Sequence, residues 1–126
     1  MSLTLVLLPD RLAVCQVPAD APVPQPPAED GVWSVTRTAD ELSLVWPEAA
    51  VEPGWRVERE WRCLQVVGPL PFELIGILAD LATALAHRDV SVFALSTYET
   101  DYLLVKVGDV ARACDALEEA GYQVLG

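Results

Sequence analysis

The sequence predicts an α+β fold, a ferredoxin-like βαββαβ sandwich, over the second half of the chain. Three observations carry that prediction. Ser91–Val105 (SVFALSTYETDYLLV) reads as two β-strands joined by a short polar turn. A helical pattern lies on either side of this hairpin, and an apolar strand pattern lies at each outer end. The resulting order over Trp61–Leu125 is strand, helix, strand, strand, helix, strand, the split βαβ pattern.

Trp61–Val67 is apolar enough for a central strand covered on both faces, and Gly68-Pro69-Leu70-Pro71 breaks it. From Phe72 to His87, Leu74, Leu78, Leu81 and Leu85 recur at spacings of four, three and four. This is the stripe of a helix lying on a sheet. His87 and Arg88 end it, where cations suit the helix dipole. Val90–Thr97 and Asp101–Val107 form the hairpin. A second helix over Asp109–Ala120 presents Val110, Cys114 and Leu117 on one face, with Gly121 as its C-terminal cap. Tyr122–Leu125 supplies the last strand. Trp61–Leu125 alone should then form a four-stranded antiparallel sheet with both helices on one face.

The first half reads as short strands. Leu3–Leu8 and Leu12–Val17 flank a turn at Pro9-Asp10-Arg11. In Pro18–Pro27 five of ten residues are proline, which predicts an exposed, extended loop without ladder hydrogen bonds. Pro24-x-x-Pro27 has the spacing of an SH3 ligand but lacks flanking arginines. Strands resume at Val32–Thr36 and Leu42–Trp46. Pro47–Val51 makes one helical turn, and Glu52-Pro53-Gly54 marks a boundary. Residues 1–58 are therefore expected to form a strand-rich subdomain, and 59–126 a complete one.

Composition narrows the functional classes. The 126 residues are 52% hydrophobic and 21% charged, ample material for a packed core. A net charge of −11, with Lys106 and seven arginines as the cations, argues against nucleic-acid binding, which relies on neutralising phosphates. The four tryptophans (Trp33, Trp46, Trp55, Trp61) then suit core or interface better than base stacking. Met1–Pro9 is apolar but lacks a basic leader and is too short to span a bilayer. No membrane association is expected. Cys15, Cys63 and Cys114 are odd in number and widely spaced, which suits buried free thiols and a cytoplasmic location.

A catalytic inventory is missing. His87 is the single histidine and falls at a helix end. There is no zinc spacing, phosphate loop, nucleophile elbow or dinucleotide fingerprint, and Glu118 and Glu119 diverge on a helix surface. The expectation is a non-enzyme with no catalytic residues, metal or cofactor. Binding chemistry has more support. Gly68–Pro71 leads into a helix N-terminus, whose unpaired backbone N–H groups suit a carboxylate, and Gly76 permits close backbone approach. Thr97, Tyr98 and Asp101 lie on the neighbouring hairpin, where Asp101 could face an ammonium group. The alternative is structural: Thr, Tyr and Asp are ordinary at strand ends, and Gly76 could serve helix–sheet packing alone.

The Ser91–Val105 hairpin, with its Ser96-Thr97-Tyr98-x-Thr100-Asp101 core, resembles the signature hairpin of ACT domains in the CASTOR-type arginine sensors and their small bacterial relatives. Trp33–Val45 and Gly68–Leu85 are similar to them too. The resemblance implies tandem ACT-like units, a degenerate first one and a complete βαββαβ second one. It implies an amino-acid-binding regulatory protein, expected to be a homodimer, and a ligand held between ACT units by the loop before the first helix and the following hairpin. By position it assigns Pro71, Leu74, Gly76, Thr97, Tyr98 and Asp101 to the ligand. The sensors carry an acidic residue where this chain has Leu74, so the ligand side chain should be neutral and small or apolar rather than cationic. The rival expectation is an ACT-fold interaction module without ligand that docks on a partner enzyme.

Overall fold

The computed structural model describes residues 3–27, 31–71 and 75–126. Two compact units emerge, Asp10–Trp61 and Met1–Pro9 with Arg62–Gly126. The long strand β5 (Arg56–Val66) contributes its first part to one and its second part to the other. It begins five residues before the predicted Trp61, because Arg56 to Glu58 find a ladder partner in the first unit.

In that first unit β2 (Leu12–Val17) pairs antiparallel with both β4 (Leu42–Pro47) and the start of β5. The strand β3 (Ser34–Arg37) forms a hairpin with β4. Its turn is closed by the Thr38 hydroxyl, which accepts the N–H groups of Asp40 and Glu41. Alternate residues Ala13 and Cys15 of β2 and Leu42, Leu44 and Trp46 of β4 make the core, as period-two patterning requires. Trp33 and Trp55 stand edge-on to Trp46 at 5.5 and 6.1 Å, a favourable aromatic geometry. Arg37 donates to the carbonyls of Ala19 and Ala21 and pins the start of the proline-rich loop. The predicted turn after Leu42–Trp46 is a 3₁₀ turn over Glu48–Ala50, with Pro47 preceding it.

The second unit holds the α+β sandwich. Its sheet runs β6 (Phe93–Ser96), β7 (Asp101–Lys106), β5, β1 (Thr4–Leu7), β8 (Gln123–Leu125). This corrects the expectation of four antiparallel strands drawn from Trp61–Leu125 alone. The N-terminal strand β1 lies between β5 and β8, antiparallel to the first (Leu5 opposite Val66) and parallel to the second (Leu5 opposite Val124). Both β1 and β8 are short and apolar, so periodicity reveals strand character but not the partner.

The helices α1 (Ile77–Ala86) and α2 (Val110–Glu119) share one buried cluster. Leu81 and Leu85 of α1 and Ala113, Ala116 and Leu117 of α2 meet Leu5, Leu64, Val66, Leu103 and Val105. The alternating strand positions define one sheet face, and both helices cover it. Gly121, at φ 99, closes α2 through the N–H groups of Gly121 and Tyr122 bonded to the carbonyls of Glu118 and Leu117, a left-handed cap that glycine favours. α1 starts later than predicted: Phe72–Leu74 lie outside the described residues, and helical hydrogen bonding begins when Asp80 N–H reaches the Gly76 carbonyl.

Burial also governs the thiols. It pushes Cys63 from an ordinary 9.0 to about 12. Burial raises Cys15 to about 11, partly opposed by the Arg59 charge. The folded state therefore holds protons that the unfolded state releases. The corresponding stability is complete below pH 9 and declines as pH rises toward these values. Thiol titration with DTNB at pH 8 should leave Cys15 and Cys63 unmodified until denaturant is added; rapid native reaction would contradict their burial. Leu5, fully buried, provides a second check. Leu5→Ala should cost about 2–5 kcal/mol in urea denaturation, whereas Val67→Ala, at an exposed position, should change stability by about 0.5 kcal/mol or less.

Candidate functional site

A cleft of about 370 Å³ opens in the second unit between α1 and the β6–β7 turn. Leu70 and Pro71 of the loop after β5, together with Gly76, Ile77, Leu78 and Ala79, form one wall. Ser96 through Asp101 form the other. Gly76 is the residue before the helix rather than part of its first turns, at φ 83 and ψ 4. This left-handed conformation suits glycine and costs other residues roughly 1–2 kcal/mol. It aims the chain directly into α1, and Gly76 provides no side-chain cap. The first turn of a helix has backbone N–H groups without intrahelical partners, and its residues Ile77, Leu78 and Ala79 line the cleft.

The opposite wall is ordered by its own polar side chains. Ser96 and Asp101 face each other across the hairpin, and the Ser96 hydroxyl donates to Asp101 Oδ1 at 2.6 Å. Within the turn, Thr97 N–H reaches the Thr100 carbonyl at 2.9 Å. The Thr97 hydroxyl donates to that same carbonyl. Tyr98 is 81% exposed at the rim.

The two walls are also joined. Thr100, buried, donates its hydroxyl to the Val66 carbonyl at 2.6 Å. Leu70 N–H donates to the Glu99 carbonyl at 2.7 Å. The loop after β5 is thus bound to the hairpin turn immediately behind the cleft.

Of the residues singled out in the sequence, Pro71, Gly76, Thr97, Tyr98 and Asp101 border this one cleft. Leu74 lies outside the described residues. Sequence reasoning gave no ligand role to Leu70, Ile77, Leu78, Ala79, Ser96, Glu99 or Thr100, which also line the cleft. Ser96 and Thr100 were discoverable in principle, since both fall in the polar turn between the hairpin strands. The leucines and Ile77 carried only the signal of helix or core. His87 stands at the C-terminal end of α1. Among the described residues no group of three His, Cys, Asp or Glu side chains is placed to hold a metal.

A family model described as the ACT domain matches residues 56–119. The chain belongs to the ACT-domain family. A second model, described as an N-terminal domain, matches residues 10–52. The rat cytosolic arginine sensor for mTORC1 subunit 1 is 37% identical over 59 residues, 46% of this chain and 18% of the sensor. The chain therefore matches less than a fifth of that relative's length. A solved structure of protein Atu0741 from Agrobacterium tumefaciens superposes with a TM-score of 0.91 at 30% identity, covering 99% of this chain and 93% of that one. The ligand-free regulatory subunit of aspartate kinase from Thermus thermophilus superposes with a TM-score of 0.62 at 11% identity, covering 93% and 96%. That last likeness concerns the fold alone. No helix of the described residues is long and apolar enough to cross a membrane.

The buried Thr100 hydroxyl gives this site a direct stability test. Thr100→Val keeps the shape but strands the Val66 carbonyl and should cost about 1–3 kcal/mol by urea denaturation, with Thr100→Ser closer to wild type. Equal stability of Thr100→Val and wild type would show that the contact contributes nothing.

Proposed function

We propose that this ACT protein is a non-enzymatic regulator that binds a free amino acid in the cleft between α1 and the β6–β7 turn. One observation carries the reading: a helix first turn and the Asp101 carboxylate border the same cleft. These are complementary to the two charges of a zwitterion. Backbone N–H groups at a helix start favour a carboxylate, and Asp101, oriented by Ser96, favours an ammonium group. Pro71, Thr97 and Tyr98 frame the ligand, and Leu74 is assigned to the same loop by its position in the sequence.

The ligand side chain is neutral and apolar. Leu70, Pro71, Ile77, Leu78 and Ala79 provide an apolar wall, against which an apolar side chain is favoured and a guanidinium is costly to desolvate. The chain thus differs in specificity from the arginine sensor it resembles. A homodimer is the assembly we infer, since β6 and β8 end their sheet and exposed sheet edges invite pairing. A second reading, an interaction module that docks on an enzyme without ligand, draws support from Ile75, 93% exposed beside the cleft.

Calorimetry with leucine, isoleucine, threonine and arginine separates these readings. At least one neutral amino acid should bind, and Asp101→Asn should weaken it by about 1.5–3 kcal/mol without loss of fold. Tight arginine binding would defeat the assigned specificity. Equal affinity in Asp101→Asn would defeat its role, and absence of binding by all of the amino acids would favour the docking module. Light scattering at micromolar concentration should give a dimer mass; a monomer throughout would contradict the assembly.

A further inference from the structure

We propose that Gly68 and Thr100 are positioning residues that fix the width of the cleft and so set which amino-acid side chains it admits. The proposal rests on the amino-acid-binding reading above. Gly54, Gly76, Gly121 and Gly126 have positive φ, but Gly68 does not, so backbone conformation does not call for glycine there. Close approach does. A Cβ at Gly68 would lie 2.9 Å from the Glu99 carbonyl oxygen and 3.1 Å from Thr100 Cβ. The first neighbour is backbone and cannot swing aside.

The same two turn residues are held on both sides of Gly68. Thr100 Oγ1 donates to the Val66 carbonyl at 2.6 Å, and Leu70 N–H donates to the Glu99 carbonyl at 2.7 Å. Three alternate positions, Val66 at the end of β5 and Gly68 and Leu70 of the loop, therefore meet two consecutive turn residues. Pro71 follows this clamp directly on one wall, and Asp101 follows it on the other. The gap between those walls is set by main chain and by one buried hydroxyl, not by adaptable side chains. A methyl group at position 68 pushes the loop away from the turn, and loss of the Thr100 hydroxyl unties the turn from the end of β5; either change widens the gap.

The test compares wild type, Gly68→Ala, Thr100→Val and Thr100→Ser by calorimetry against alanine, threonine, leucine and isoleucine. Amide hydrogen exchange at Leu70 is followed in the same four proteins. Gly68→Ala and Thr100→Val should each shift relative affinity toward leucine over alanine by about tenfold, and should accelerate exchange at Leu70. Thr100→Ser should restore the wild-type ratio and protection. A variant that only weakened the fold would lower all affinities by one factor. Such uniform loss, or a Leu70 amide as protected in Gly68→Ala as in wild type, overturns the clamp. If wild type binds none of the four, the amino-acid reading fails for these ligands, and Leu70 exchange decides the clamp by itself.

Discussion

The second unit depends on one non-local pairing, the insertion of β1 between β5 and β8. Leu5 stands opposite Val66 on one side and Val124 on the other. Without it β8, three residues long, would lack its partner in the ladder, and β5 would lose one neighbour. Leu5 of β1, with Leu3 just before it, completes the cluster on which both helices rest. A parallel pair must join distant parts of the chain, here Thr4–Val6 and Gln123–Leu125. The fold of the ACT unit therefore requires Thr4–Leu7 as much as Gln123–Leu125.

This arrangement determines how the cleft is supported. β5 carries Val66 at the end of the strand that β1 braces, and the Val66 carbonyl receives the Thr100 hydroxyl. The hairpin turn is thus tied to the central strand of the sheet, and the α1 entry loop is tied to the turn. Binding groups mounted on such a frame have less freedom to lose on binding. The polar residues of the site accordingly divide their work. Thr97 and Thr100 shape the wall, whereas Asp101 is the charge presented to a ligand in the function proposed.

The sequence revealed most of the ACT unit because its signals are local. The leucine spacing in α1, the polar turn between two apolar runs, and Gly121 after α2 each reflect geometry within a few residues. The β1 insertion was not legible: Leu3–Leu8 is a plain apolar strand, and its partners lie some sixty and a hundred and twenty residues away. The start of α1 was placed too early for a related reason. The leucine stripe extends back to Leu74, but Gly76 adopts a left-handed conformation that sets the helix start at Ile77. In the site, motif residues Thr97, Tyr98 and Asp101 stood out by chemistry. The roles of Gly68, in the loop, and of Thr100, in the same motif, did not, because close approach and a buried hydroxyl are visible only when loop and turn are brought together.

The most direct measurement is an NMR titration of ¹⁵N-labelled protein with a neutral apolar amino acid such as leucine. Amide shifts should concentrate at Ile77, Leu78 and Ala79 and at Ser96 through Asp101, the two walls of the cleft. Saturable shifts confined instead to Asp10–Trp61, or no shifts at millimolar ligand for any neutral amino acid, would contradict the assignment of this cleft as the binding site.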